Sequence, residues 1–153
     1  MTEQRVIPGG THKVLLDSAA NNSNKTITVP VGKIWEVDRV YIQLLCTATV
    51  GARVLRAIFV DAIAAATTFV YVPSTNPTAS QSCAIELNTR FSEYLTTIPS
   101  ATLAQGTPTI KNTSFLPIKT WKAGDSLHVY DVGSIDAAAD DLIILIDYIE
   151  YDA

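Results

Sequence analysis

Apolar residues recur at every second position over much of this chain, and this period constrains the fold more than any other feature. Ile27, Val29 and Val31 fall on one face of one segment, and residues 83–88 alternate in the same way. A period of two is the pattern of a β-strand with one buried face. Seven Gly and seven Pro punctuate the pattern, as in sandwiches. We therefore predict an all-β fold, a two-sheet antiparallel β-sandwich of jelly-roll type.

Three long segments carry more than a simple alternation. Ile34–Cys46 changes its apolar parity around Asp38 and Arg39, and a change of parity turns the side chains to the other face. We therefore predict a β-bulge or a bend between two sheets at that point. Ala52–Val60 and Asp141–Tyr151 are apolar on both faces. Each is expected to be either a central strand or a strand covered by a neighbouring subunit.

One short pattern occurs twice. Residues 32–37 read G-x-x-W-x-V, and residues 124–129 read G-x-x-L-x-V. Each Gly would open a strand after a turn, where a positive φ has no steric cost for glycine. A turn and a second long apolar strand follow in both cases. Because two similar Greek-key halves make a jelly roll, the repeat supports that topology.

The length of 153 residues fits one domain. We predict an N-terminal arm over residues 1–10 and a single jelly-roll domain over residues 11–153. The first ten residues are polar and lack the apolar core of a secretory signal, which predicts synthesis in a cytoplasm. The longest aliphatic run, Leu142–Ile146, is strand-sized, so no membrane partner is expected. Cys46 and Cys83 are interpreted as reduced core thiols, with a disulfide as the alternative.

Charge is distributed unevenly along the chain, and the distribution bears on its partners. Residues 1–124 contain 11 Lys and Arg against seven Asp and Glu, whereas residues 125–153 contain eight acidic residues and no Lys or Arg. Binding to phosphate backbones needs clustered cations. The acidic C-terminal part and the dispersed N-terminal excess therefore both argue against DNA or RNA as a partner.

Motifs for catalysis and for cofactors are missing from the sequence. His12 and His128 have no second His at metal-ligand spacing, and no G-x-S-x-G elbow occurs. A Ser-His-Asp triad assembled by the fold stays open. We predict no catalytic residue, no cofactor and no enzymatic activity. Asp136, Asp140 and Asp141 are weak candidates for a Ca²⁺ site, and the alternative interpretation is turn chemistry that keeps an edge soluble.

The V-P-V-G-K-I-W opening of Val29–Ala62 and the G-D-S-L motif in Ala123–Asp152 resemble a recurrent pattern in small jelly-roll virion structural proteins of tailed bacteriophages. Val29–Ala62 contains V-P-V-G-K-I-W, an alternating strand, T-V-G-A-R and a second long strand, where the pattern has VPAGK-x-W and then TVGNR. Ala123–Asp152 resembles the second half, with a G-D-x-L opening, a D-D turn and a final strand that ends in acidic and aromatic residues. Ala52 stands where the pattern has Asn, and Ile63–Lys122 matches no part of it.

The resemblance implies a capsid decoration or auxiliary protein that stabilises the phage head and is located in the virion after synthesis in the host cytoplasm. It also implies a homotrimer, whose partners are itself and the major capsid protein or another virion protein. Apolar strands and an arm that could reach a neighbour supply the interface candidates, which are Arg5, Val6, Ile7, Leu55, Phe59 and Trp121.

The alternative function is a carbohydrate- or receptor-binding module of a phage tail or fibre. In that case exposed aromatic side chains near Tyr71, Tyr94 or Trp121 would bind a glycan. Trp35 and Trp121 both lie in apolar strand contexts, so the competing interpretation is that they pack in a core or an interface. A third hypothesis, a metal-dependent enzyme like the cupins, conflicts with the isolated histidines.

Overall fold

The structure is a computed structural model that describes residues 9–18, 24–73, 75–89, 110–133, 135–136 and 139–153. These residues contain ten strands and no helix, which confirms the all-β prediction. Arg5, Val6, Ile7 and Tyr94 lie outside the described residues, as does most of the predicted N-terminal arm. In chain order the strands are β1 (Thr11–Asp17), β2 (Lys25–Thr28), β3 (Lys33–Leu45), β4 (Leu55–Asp61), β5 (Ala66–Tyr71), β6 (Ser82–Asn88), β7 (Ile110–Phe115), β8 (Thr120–Lys122), β9 (Ser126–Asp131) and β10 (Asp141–Asp152).

The strands form two sheets, as predicted for a sandwich. The large sheet has the order β1-β10-β3-β6-β7, and β8 pairs with the beginning of β3. The small sheet has the order β2-β9-β4-β5. Neighbouring strands run antiparallel apart from β6 and β7, which are parallel. The two-sheet, mainly antiparallel sandwich is therefore confirmed.

One cluster of buried apolar side chains joins the inner faces of the two sheets. The ring centroid of Trp121 in β8 lies 5.0 Å from that of Phe59 in β4, so this pair connects the large sheet to the small one. Trp35 lies 6.5 Å from Trp121 and 4.2 Å from Tyr148. Aromatic rings bury more apolar surface than other side chains. This group of four is therefore a major part of the core.

The irregularity predicted in the first long segment is a β-bulge. Asp147 pairs with Arg39 and Tyr148 pairs with Val37, so Asp38 is an extra residue on β3. The strand does not cross to the other sheet. Instead it changes its neighbour, with β8 beside residues 34–36 and β6 beside residues 39–45.

Both segments that are apolar on two faces are central strands, as one of the two interpretations predicted. β4 lies between β9 and β5 in the small sheet, and β10 lies between β1 and β3 in the large sheet. In β10, Leu142, Ile144 and Ile146 pack into the core. Ile143 and Leu145, on the opposite face, belong to a second buried cluster. Central position and coverage of both faces explain the continuous apolar run of β10.

The repeated pattern opens one strand in each sheet. Gly32 has φ +74° before β3, and Gly124 has φ +87° before β9, so both glycines use the left-handed region that was expected. The two turns are adjacent in space. Gly124 N donates to the carbonyl of Val29 at 3.0 Å, and Val29 N donates to the carbonyl of Asp125 at 2.9 Å.

Candidate interaction surfaces

At one end of the sandwich a buried ion pair joins two connections that cross between the sheets. Arg53 Nε donates to Asp140 Oδ2 at 2.8 Å, and Arg53 Nη2 donates to Asp140 Oδ1 at 3.1 Å. Both side chains are fully buried. Arg53 Nη1 also donates to the carbonyls of Thr49 at 2.7 Å and Gly51 at 2.9 Å. These additional bonds satisfy the guanidinium, which is what a buried charge pair needs. We call this region the Arg53 end.

Two of the three carboxylates considered as metal ligands, Asp136 and Asp140, accept hydrogen bonds at the Arg53 end. Asp140 also accepts a bond of 2.7 Å from Thr47 N. Asp136 accepts from the hydroxyls of Thr47 and Thr49, and these bonds lower the pKa of its carboxyl. Asp141 is the first residue of β10. No group of three or more His, Cys, Asp or Glu side chains that could hold a metal ion occurs among the described residues. These contacts fit the turn interpretation, because the guanidinium of Arg53 already binds both carboxylate oxygens of Asp140.

The opposite end of the sandwich is organised by one buried carboxylate. Asp125 Oδ1 accepts from Ala62 N at 2.9 Å, and Asp125 Oδ2 accepts from Lys122 N at 2.7 Å. The side chain thus holds the β4–β5 turn against the turn before β9. Two apolar side chains extend into solvent here, Val31 with 95% and Ile63 with 83% exposure. We call this region the Asp125 end.

The interface candidates in the strands are core residues. Leu55, Phe59 and Trp121 have between 0% and 2% exposure within a single chain. Side chains buried to this degree cannot contact a second subunit, so their assignment to an interface is corrected. The same burial places Trp35 and Trp121 out of reach of a sugar. The error has a simple cause, because an apolar strand face looks the same in sequence whether it meets the other sheet or another chain.

The two histidines lie on the outer faces of the sheets rather than in the interior. His12 on β1 is exposed and contacts the carboxylate of Asp147. His128 on β9 is half-buried, with Nε2 at 2.9 Å from Ser126 Oγ and Nδ1 at 3.2 Å from Thr26 Oγ1. A serine triad places a carboxylate behind the imidazole, and at His128 that position holds a hydroxyl. The arrangement of His128 with the hydroxyls of Ser126 and Thr26 therefore fits a polar patch on a strand surface.

The outer face of the large sheet is lined with polar side chains that are nevertheless buried. They alternate with core residues along β3 and β6, and their exposure is 6% or less. Tyr41 is paired across the strands with Glu86, and Arg39 with Asn88. Burial, with a further contribution from the negative charge of Glu86, raises the pKa of Tyr41 to about 12. This set, which sequence reasoning missed, is Arg39, Tyr41, Gln43, Glu86 and Asn88.

The raised pKa values of two cysteine thiols and of the Tyr41 phenol predict a loss of stability in alkaline solution. Burial raises the pKa of Cys46 to about 12 and that of Cys83 to about 11, in addition to the raised pKa of Tyr41. Unfolded thiols and phenols titrate near pH 8.5 and 10. The unfolded chain therefore releases its protons first, and stability that is complete below about pH 8.5 falls as the pH rises toward 11. Urea unfolding at several pH values should show this fall.

Tyr41→Phe provides the control for that prediction, because it removes the phenol and keeps the ring. The alkaline loss should become smaller in this variant. A free energy of unfolding that stays constant from about pH 8 to 11 would contradict the buried, protonated state of these groups.

No described residues form a helix with the length and apolar character required to span a bilayer. No protein-family model matches the sequence, and curated proteins give no significant match. One solved structure, of the infectious bursal disease virus Gx strain, is similar at 12% identity with a TM-score of 0.29. The similarity covers 94% of this chain and 43% of the length of that chain. A TM-score this low does not establish a shared fold, so the description of the fold rests on the strands themselves.

Proposed function

We propose that this chain is a virion structural protein and, more narrowly, a jelly-roll decoration or auxiliary protein on the capsid of a tailed bacteriophage. The nesting of its strand pairs carries the proposal. β1 pairs with β10, β2 with β9, β3 with β6, and β4 with β5. Rolling one long antiparallel ribbon around itself produces this nesting. Jelly rolls of that kind occur in viral capsid proteins, lectins and cupins.

The placement of side chains favours the capsid class among these three. Cupins hold a metal with clustered histidines, whereas His12 and His128 lie on the outer faces of different sheets. Lectins stack sugars on accessible aromatic rings, whereas Trp35 and Trp121 are buried and Tyr71 packs against the core. The interior between the sheets is instead filled by apolar side chains. A filled, rigid sandwich is suited to presenting its surface to other subunits.

The resemblance to phage virion proteins supports the same function, because its motifs occupy defined structural positions. The V-P-V-G-K-I-W segment forms the turn and the beginning of β3, where Gly32 has a positive φ and Trp35 enters the core. The G-D-x-L segment forms the equivalent turn before β9. These positions specify a fold, and no catalytic role follows from them.

The Asp125 end is the proposed contact with the capsid lattice. Val31 and Ile63 extend apolar surface from turns that Asp125 and the adjacent backbone bonds hold in place. Apolar side chains on a preorganised support bind with little loss of conformational entropy. The partner is the major capsid protein or another virion protein, and the chain itself is proposed to act as a homotrimer.

Co-sedimentation with preformed shells of the phage that encodes the chain tests this proposal. The protein should bind until the lattice is saturated and should raise the temperature at which the shells break. Val31→Asp combined with Ile63→Asp should weaken binding at least about tenfold, because charges are depleted from the centre of interfaces. Light scattering of the free protein measures its oligomeric state.

Val50→Asp is the matched control, since Val50 is 87% exposed at the Arg53 end. It should bind shells as the unaltered protein does. A folded protein that stays in the supernatant at all concentrations would refute the virion function. Loss of binding in the Val50 variant alone would place the contact at the other end.

A further inference from the structure

The edge strand β5 lacks two of the features that commonly protect a strand edge, charged residues and proline. It is the last strand of the small sheet, and Ala66–Tyr71 contains neither a charged residue nor a proline. The surrounding residues 62–85 also carry no charge. Soluble proteins commonly protect such edges with lysine, proline or very short strands, because unpaired backbone groups recruit another strand. Within the part of the chain that the structure describes, β5 is therefore an open site for strand pairing.

The other terminal strands of the two sheets differ from β5. β1 contains Lys13 and Asp17, and Lys13 Nζ is bound to Glu150 at 2.6 Å. β2 has only four residues and contains Lys25. β7 contains Lys111. Charge or short length therefore distinguishes each of these three strands from β5.

The side chains of β5 also leave its edge accessible. Val70 is 50% exposed, Thr67 and Thr68 are exposed, and Val72, directly after the strand, is 45% exposed. Phe59 pairs with Phe69 and Val60 pairs with Thr67, so Thr68 forms a bulge. After the bulge, Phe69–Tyr71 is regular strand, with Val70 at its centre.

We propose that β5 pairs antiparallel with β5 of a second copy of this chain, with a two-fold axis beside Val70. The two small sheets would then form one continuous eight-stranded sheet. The proposal goes beyond the virion function, because it depends only on the chemistry of this edge. It is compatible with a three-fold contact elsewhere, since two trimers joined through β5 form a closed hexamer when each two-fold axis crosses the three-fold axis at a right angle.

The charge distribution favours contact between two copies at this edge. The chain has a net charge of −4, and residues 125–153 are strongly acidic, so two copies repel each other over much of their surface. The uncharged segment 62–85 is a region where they can meet without that repulsion. Antiparallel pairing of a strand with its own copy is isologous, so the contact closes after one pairing and does not propagate into fibres.

The mass of the full-length protein in solution tests the proposal without any capsid. Light scattering over a micromolar concentration series should give a dimer, or an even multiple of any three-fold assembly. Val70→Lys should halve that mass by raising the dissociation constant at least about tenfold, because like charges directly opposite each other destabilise a strand pair. Mixing Val70→Lys with Val70→Glu should restore the larger mass.

Val14→Lys is the matched control, because Val14 is 55% exposed on β1 and receives the same charge on a protected edge. It should leave the mass unchanged. Hydrogen exchange gives a second measurement, in which the amides of β5 exchange more slowly as protein concentration rises. An unaltered protein that stays a monomer or a trimer throughout, or a Val70→Lys variant with unchanged mass, would overturn the proposal. Either result would leave shell binding unaffected and so would not bear on the virion function.

Discussion

Replacing Arg53 by leucine is expected to lower the free energy of unfolding by about 3–5 kcal/mol. The variant leaves the carboxylate of Asp140 buried without its cation, and burial of an unpaired charge is among the most costly single changes. Domains are stable by only about 5–15 kcal/mol, so a large part of the total would be lost. Urea unfolding followed by circular dichroism measures the difference.

The structure explains why this one pair should matter so much. Arg53 contacts Asp140 with two nitrogens and the carbonyls of Thr49 and Gly51 with a third. It therefore holds the β3–β4 connection against the β9–β10 connection. Val132 N and the carbonyl of Val54 make a further bond of 2.9 Å between the same two segments. Loss of the guanidinium should loosen this entire end of the sandwich.

Lys33→Met provides the control for the Arg53 variant. It removes one cation from a pair with Asp152, whose side chain is 88% exposed, so the expected loss is far smaller than that in Arg53→Leu. The double variant Arg53→Leu with Asp140→Leu should be more stable than Arg53→Leu alone, because no buried charge then lacks a partner. Equal losses of stability in Arg53→Leu and Lys33→Met would show that the buried ion pair contributes no more to the free energy of unfolding than the exposed one.

Local features of this fold could be read from the sequence because each depends on neighbouring residues. The change of parity at Asp38 predicted the bulge, since an extra residue alters the direction of every side chain after it. The positive φ of Gly32 and Gly124 was also predicted, because each glycine opens a strand after a turn. Two-faced apolar segments correctly indicated central strands, and in β10 both faces are covered.

Features that depend on distant segments could not be read in this way. Arg53 and Asp140 are far apart in the sequence, and nothing near either residue indicates the other. Alternation gave the correct outward face for Glu86 and Asn88, but it does not report whether that face meets solvent, so their burial was missed. Leu55, Phe59 and Trp121 were assigned to an interface for the related reason that periodicity does not identify the neighbour.

Trp121→Ala is expected to cost about 3–5 kcal/mol of stability, the range for truncating a buried large aromatic residue. The ring has no exposure and contacts Phe59 of the opposite sheet, so its loss leaves a cavity between the two sheets. The indole nitrogen also donates to the carbonyl of Ile118 at 2.9 Å. Trp121→Phe should cost less, because it keeps a ring in the core. Thermal and urea unfolding measure both variants.

Val31→Ala is the matched control, because that side chain is 95% exposed and its truncation should change stability by less than about 0.5 kcal/mol. The comparison also separates a core role from an interface role for Trp121. A core residue changes the unfolding of the chain and leaves the assembly mass of the folded Trp121→Phe variant unchanged. If that variant instead kept its stability and lost mass, Trp121 would belong to a subunit contact, and the packing of the two sheets described above would be wrong.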